Sequence, residues 1–382
     1  MSWPASDEYQ GAIQNPRSCF RDLSLSGGQP APNNLGLPRI ASGNFACVFK
    51  IETGVENFAV RCFLREVNDQ QRRYDLLTQH LAGLWLQQLT GFEYIAKGIQ
   101  ISGRWFPIVK MEWVEGETLD IFVERHLNNP ETLRHLAAQW RGAVAGLRGA
   151  HMAHGDLQHG NVLVDQSGLI RLVDYDPMFI PSLSGEKSPE LGHPNYVHPK
   201  RAEDNYDDNL DSFAALVVYL SLLALAAEPE LWRRFYTGEN LILTQSDFSE
   251  PAKSDCLRRL KANRDPMVAK LADILNDLCL KPPTQIPDLE SILNNIPFTP
   301  TPSKNPPKKP SPIKVTLQGQ VSPVDMTPAL TEIKCSSCGQ SNDSINLFCH
   351  KCAEFLKPVQ CKRCGDNIPG ESLFCQVCGA KQ

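Results

Sequence analysis

His154-Gly155-Asp156-Leu157-Gln158-His159-Gly160-Asn161-Val162-Leu163, continued by Leu172-Val173-Asp174-Tyr175-Asp176, is the stretch that decides how the chain reads. An acid, an amide five residues on and a second acid thirteen beyond that have a chemical logic. Phosphoryl transfer needs little covalent work from a protein; it needs metal ligands on the phosphates and a group that orients the attacking hydroxyl. Asp174 and Asn161 suit the first task, with Mg²⁺ or Mn²⁺ as the ion, and Asp156 suits the second. The apolar run at 162–164 and the alternating Ile170-Arg171-Leu172-Val173 predict a hairpin that carries these groups to a cleft. Each residue alone is an ordinary turn former; the spacing of the set carries the reading.

Outward from this stretch the texture changes. Before residue 115, β-branched and aromatic runs predict strands at Cys47–Ile51, Phe58–Phe63 and Trp105–Met111. After it, helical periodicity covers Glu131–Met152, Leu210–Ala227 and Met267–Leu280. Strands first and helices afterwards imply an α+β fold with a sheet-rich small lobe and a helical large lobe. The longest apolar run, Ser212–Ala227, holds 16 residues. A bilayer span needs about 20, so this run is expected to be a buried core helix. The start, MSWPASDEYQGAIQ, has neither a basic region nor an apolar one, and a cytoplasmic location is the expectation. A net charge of -5 gives no global reason to expect nucleic acid or an anionic membrane as partner.

Here the chain resembles the protein kinase family, over about residues 36–296. HGDLQHGN is similar to the kinase catalytic loop, with glycine where many members carry arginine, and Asp174-Tyr175-Asp176 stands at the D-F-G site. Gly192–Lys200 is similar to the end of an activation segment, and Leu210–Ala227 to the buried helix that anchors the large lobe, with Asp211 supporting the catalytic loop. Pro107–Gly116 resembles strand five and the hinge. The resemblance implies ATP as cofactor, Met111 as gatekeeper and the backbones of Glu112 and Val114 against adenine. Ala41, Gly43 and Val48 fall in the glycine-rich loop, and Arg61 stands where the family has a phosphate-contacting lysine.

The small lobe departs from the family pattern. Ala41 and Ala46 replace the outer two glycines of the loop, which stiffens it beside the phosphates. Arg61 keeps the charge of lysine, but its planar fork is placed differently. The acidic partner expected on the next helix stays open between Asp75 and Glu66. Gln158, His193 and Lys200 also differ from the usual residues, and Gly155 removes the arginine that reads activation-loop phosphorylation. His154 is read as a structural support of the catalytic loop, and His159 as a solvated loop residue.

Residues 297–332, beginning PFTPTPSKNPPKKPSPIK, predict an extended linker, because proline fixes φ and removes backbone donors. Residues 333–382 are an internal duplication: Cys335, Cys338, Cys349 and Cys352 recur 26 residues later as Cys361, Cys364, Cys375 and Cys378. Two C-x-x-C knuckles make a tetrahedral, all-sulfur site suited to Zn²⁺ at about 2.3 Å per bond. Two such sets imply two structural Zn²⁺ ions on which a segment this small depends for folding. The other five cysteines, Cys19, Cys47, Cys62, Cys256 and Cys279, are scattered singly and read as small core hydrophobes. The segment resembles a double zinc ribbon, for which a protein partner or substrate fits better than nucleic acid, since stacking aromatics are few.

The expected organisation is an extension at 1–35, a kinase-like domain at 36–296 (small lobe 36–112, large lobe 116–296), a linker at 297–332 and the ribbons at 333–382. Tyr9–Phe20 and Leu35–Ile40 resemble a bacterial subgroup of kinase-like proteins with C-terminal zinc ribbons. That resemblance implies a von Willebrand A-type protein and a metal-dependent phosphatase as functional neighbours, in signalling or stress response. The leading reading is an ATP-dependent kinase acting on Ser/Thr hydroxyls. One alternative is a pseudokinase, a nucleotide-binding scaffold without transfer, favoured by Arg61, Ala41, Ala46 and Gln158. The other is a small-molecule phosphotransferase, which the H-G-D-x-x-x-x-N form also resembles.

Overall fold

The computed structural model describes residues 3–43, 45–66, 69–84 and 86–296, together with four short strands between 332 and 369. Met1–Ser291 form one compact unit and Ile292–Gln382 another.

The first unit opens with three short helices, α1 (Ser6–Ile13), α2 (Pro16–Cys19) and α3 (Leu23–Ser26). Then come β1 (Gln29–Pro30), β2 (Ile40–Ser42), β3 (Ala46–Glu52), β4 (Asn57–Phe63), helix α4 (Gln70–Leu81), β5 (Phe92–Ile101) and β6 (Arg104–Glu112). The strands pair in the order β1-β3-β4-β6-β5, with β2 also on β3. The three strands expected from composition are β3, β4 and β6, each a residue or so longer than the apolar run that announced it.

Period-two alternation gives this sheet two buried faces. Cys47, Phe49, Ile51, Phe58, Val60, Cys62, Ile99 and Ile108 point one way, into a core shared with Tyr9, Ile13, Cys19, Phe20 and Leu25 of the N-terminal helices. Ala46, Ala59, Phe63, Val109 and Met111 point the other way, toward Tyr74 of α4. The N-terminal extension is therefore the cover of the sheet's outer face. It is pinned there by the Tyr9 hydroxyl, which donates to the Phe63 carbonyl at 2.8 Å, and by Asp22, 3.2 Å from Lys110. On β4, residue 61 alternates with 60 and 62, so Arg61 falls on the inner face.

Beyond β7 (Gly116–Thr118) the chain is helical: α5 (Leu119–His126) and α6 (Pro130–Gly149) precede the hairpin β8 (Val162–Asp165) and β9 (Ile170–Leu172). Helix α7 (Ser212–Ala227) follows, then α8 (Glu230–Phe235), α9 (Gln245–Ser249), α10 (Asp255–Lys261), α11 (Pro266–Leu280) and α12 (Leu289–Asn294). The termini of α6 and α11 follow from their sequences. Asn129 and Asp265 accept hydrogen bonds from first-turn N–H groups, and Pro130 and Pro266 occupy the first helical position, where no donor is needed. Helix α6 shows the core the stripe Leu133, Leu136, Ala137, Trp140, Ala143 and Leu147, whereas α7 is buried on nearly every side. The Trp140 indole donates to the Ala215 carbonyl at 3.0 Å, tying α6 to α7. Thus Ser212–Ala227 is the buried core helix its length implied, and no helix among the described residues is long and apolar enough to cross a membrane. Cys19, Cys47, Cys62, Cys256 and Cys279 are free and buried, as core residues.

In the second unit, β10 (Glu332–Lys334) pairs antiparallel with β11 (Ser341–Asp343), and β12 (Pro358–Gln360) with β13 (Asn367–Pro369). The second hairpin repeats the first at the 26-residue interval of the cysteine duplication. The eight predicted zinc ligands, Cys335, Cys338, Cys349, Cys352, Cys361, Cys364, Cys375 and Cys378, lie outside the described residues.

Candidate active site

The catalytic-loop stretch lies between α6 and β8, and its backbone is held by buried polar side chains. Asp211, at the N-terminus of α7, accepts the His154 N–H at 2.5 Å and the Gly155 N–H at 2.8 Å. Burial pushes the Asp211 carboxyl above the usual carboxylate range, against the pull of His154 and these two donors. His154 is itself fully buried, with its Nε2 3.0 Å from the Val173 carbonyl, so it joins the loop to the strand end that leads to Asp174. Gly155 has φ of +88°, and a Cβ there would lie 2.4 Å from the Pro177 carbonyl. The absent arginine of the loop thus has a steric reason: no side chain fits.

Asp156 and Asn161 come together directly. The Asn161 amide donates to the Asp156 carboxylate at 2.9 Å and to the Asp156 carbonyl at 3.0 Å, while the Asn161 carbonyl accepts the Val173 N–H. The other Asp156 oxygen accepts the His193 N–H at 2.7 Å. His193 therefore serves through its backbone where the family pattern has a threonine. Arg201 closes the arrangement by donating to the Gly155 carbonyl at 2.9 Å. Gln158 turns back to accept the Gly160 N–H at 3.2 Å. His159 corrects the expectation of a solvated loop residue: it is only 7% exposed, with Nδ1 2.8 Å from the Tyr196 hydroxyl.

Asp174 has φ of +70°, a left-handed conformation that costs a residue with a Cβ about 1–2 kcal/mol. One of its oxygens lies 2.8 Å from Arg61 Nη1; the other, Oδ1, is buried with no hydrogen-bond partner among the described residues. An orphaned carboxylate oxygen is what a divalent ion requires, and Asn161, whose amide N–H groups face Asp156, has its side-chain oxygen as a second donor. These residues fit Mg²⁺, which is commonly held by one or two protein oxygens together with phosphates and water. No larger cluster of acidic, His or Cys ligands exists among the described residues.

The roof of the cleft is the inner face of the small-lobe sheet. Val48, Ala59 and Met111 belong to one apolar cluster there, with Ala59 opposite Met111 across β4 and β6. Ala41 sits exposed on β2 opposite Val48, and Gly43 follows, its N–H bonded to the Ala46 carbonyl. Ala46 is buried in the same cluster as Ala59 and Met111. Glu112 ends β6, and Val114 lies in the strand-free residues between β6 and β7, where the hinge was expected.

Arg61 settles which acid it pairs with, and neither Asp75 nor Glu66 is the answer. Arg61 is 7% exposed, and its guanidinium spans two carboxylates: Nη1 to Asp174 at 2.8 Å and Nη2 to Asp176 at 2.6 Å. Burial works against the guanidinium charge, yet Asp174 and Asp176 outweigh it and hold its pKa well above the ordinary value. The second oxygen of Asp176 accepts the Tyr74 hydroxyl of α4 at 2.5 Å. Tyr74 is the helix residue turned to the cleft; Asp75, the next along, is exposed. Asp176 and Tyr74 are the site residues that motif reading missed. The available signal was an aspartate at the third position of Asp174-Tyr175-Asp176, where the family pattern has glycine.

Comparison with known proteins agrees with both halves of the chain. Residues 335–379, which include all eight paired cysteines, match the Double zinc ribbon family. The chain is 28% identical over 205 residues to "Phosphorylase b kinase gamma catalytic chain, liver/testis isoform" of Mus musculus, covering 51% of this chain and 47% of that protein. To the Rattus norvegicus protein of the same description it is 27% identical over 247 residues, covering 61% and 57%. The chain spans about half the length of these curated relatives. It thus has distant similarity to a protein kinase catalytic chain and carries a zinc-ribbon segment.

Proposed function

We infer that the chain is an ATP- and divalent-cation-dependent phosphotransferase acting on Ser/Thr hydroxyls of a protein. The observation that carries this is Asp174 Oδ1, buried and unpartnered, on a strained residue beside the tied pair Asp156–Asn161. An idle fold has no chemical use for that arrangement. In the reaction, the acceptor hydroxyl oxygen forms a bond to the γ-phosphorus and the bond to the β-γ bridging oxygen breaks. ADP leaves, and the hydroxyl proton passes to Asp156. The hydrogen bonds from His193 and Asn161 hold that carboxylate in one orientation. Asp174 and Asn161 would hold the metal ion, which when bound would supply positive charge against the phosphates. The Val48–Ala59–Met111 cluster would supply the apolar surface for adenine, and the Glu112 and Val114 backbones its polar edge.

A second reading, a nucleotide-binding scaffold without transfer, is favoured by Ala46, which is buried in the roof cluster where the family loop has a glycine. Transfer of label from γ-labelled ATP with Mg²⁺ or Mn²⁺ separates the two. Label on protein substrate that disappears with Asp174→Ala supports the first; ATP binding without transfer supports the second. A small metabolite as acceptor would show as label outside protein.

For the C-terminal segment we assign two Zn²⁺ ions, one to each four-cysteine set. Four thiolates match the ion's tetrahedral preference, and the repeated hairpins fit one knuckle pair per copy. The ribbons would recruit a protein partner or substrate. Metal analysis of the full chain is expected to give two zinc ions per chain, and none after all eight cysteines are changed to serine.

A further inference from the structure

We propose that Asp176 is the positioning acid for Arg61, doing from the metal-ligand segment what an acid on α4 would otherwise do. The proposal rests on the phosphotransferase reading above.

The geometry that supports it is a closed chain of contacts. Arg61 bridges Asp174 and Asp176 through separate Nη atoms, and Tyr74 braces the far oxygen of Asp176. Between the two aspartates, Tyr175 is buried and its hydroxyl accepts the Thr90 N–H at 2.7 Å and donates to the Leu172 carbonyl at 2.8 Å. Phe92 packs edge-on against its ring. The segment 174–176 is thereby fixed to the strands around it. A guanidinium has five donors in a rigid fork, so it can hold two carboxylates at once, which an ammonium does less well. Lysine-to-arginine and glycine-to-aspartate therefore make sense as one joint change at positions 61 and 176. Helix α4 contributes a phenol in place of a carboxylate, and further ties to the large lobe run through Arg73, bonded to Tyr206, through Arg72, paired with Glu186 at 2.8 Å, and through His80, 3.0 Å from the Ala150 carbonyl.

Two consequences follow. Arg61 is paired directly with Asp174, the metal ligand, as well as with Asp176, so nucleotide and metal affinity are coupled. Removing the acid on α4 should cost nothing, because Asp75 does not face the site.

The test uses the full chain with Mg²⁺ and the fluorescent nucleotide mant-ATP, with a melting curve for every variant. Asp176→Asn is expected to raise the Kd for mant-ATP about tenfold and the KM for ATP in parallel, with a smaller change in kcat. Asp176→Glu should recover most of the loss, and Asp75→Asn should match the unaltered chain. In an Arg61→Lys background, Asp176→Asn should have a clearly smaller effect, since an ammonium holds two acids less well than the guanidinium fork. If Asp176→Asn proves unfolded, Asp176→Glu and Tyr74→Phe carry the test, with a Kd increase of about two- to fivefold expected for Tyr74→Phe. A folded Asp176→Asn chain with unchanged Kd, an equal loss from Asp75→Asn, or strict additivity with Arg61→Lys overturns the proposal. A chain that binds mant-ATP in this Asp176-dependent way but transfers no phosphate keeps the positioning role and overturns the phosphotransferase reading. Absence of mant-ATP binding overturns both.

Discussion

On the large-lobe side of the cleft, Asp156, Asn161 and Asp174 sit on backbone whose hydrogen bonds end on Asp211, His154 and one another. On the small-lobe side, Arg61 stands on a β-strand, and both acids that pair with it reach it from the large-lobe segment. The first region keeps Asp156, Asn161 and Asp174 as the pattern it resembles has them, and its support comes from within the large lobe, through Asp211, His193 and Arg201. The second keeps the charge and exchanges the support. Chemistry that depends on exact ligand placement tolerates little substitution, whereas a cation over phosphates can be held by any well-placed carboxylate. The contrast also assigns different failure modes: damage to the floor should cost folding and transfer together, damage to the roof mainly nucleotide affinity.

The contrast can be broken in order of expected size. Arg61→Ala is expected to lower kcat/KM for ATP by about 10²–10³-fold, the usual cost of one preorganised charge contact, with most of the loss in KM, while the melting temperature changes far less; steady-state kinetics beside calorimetry checks this. A loss of folding with little loss of affinity would erase the distinction between roof and floor. Asp211→Ala strands two buried N–H groups, for about 3 kcal/mol of stability, measurable by denaturant unfolding. Gly155→Ala forces a Cβ against the Pro177 carbonyl at positive φ and should cost about 2 kcal/mol.

The smallest effect concerns Glu190, a half-buried residue two positions before Gly192. Burial first, then Asp174 and Asp176, push its carboxyl up to about 7 from 4.5. A raised acid is more easily kept protonated in the folded chain than in the unfolded one. Its contribution to stability is therefore complete below about pH 4.5 and lost as pH rises through about 7. Glu190→Gln should melt a few degrees above the parent at pH 8 and alongside it near pH 5. Equal differences at both pH values would remove Glu190 from the carboxylate group around Asp174.

Much of this was legible along the chain. Asp156, Asn161 and Asp174 are spaced by the loop and hairpin that carry them, so local sequence encodes their meeting, and Ser212–Ala227 reads as buried because it has no polar face. The eight cysteines are legible by spacing alone. Three features were not. Arg61 and Asp176 are 115 residues apart, and nothing in the spacing of either motif says they touch. His159 is buried by Tyr196, 37 residues away, so its loop position gave a false impression of exposure. The N-terminal extension covers the sheet through contacts such as Tyr9 to Phe63, 54 residues apart, which no local pattern in 1–35 encodes.

The central claim, phosphoryl transfer centred on Asp174, is tested most directly by labelled ATP with Mg²⁺, comparing the full chain with Asp174→Ala. The account predicts label on protein from the first and a loss of at least about 10²-fold in the second, with both chains folded. Equal label from both, or none from the unaltered chain while it still binds ATP, would contradict it.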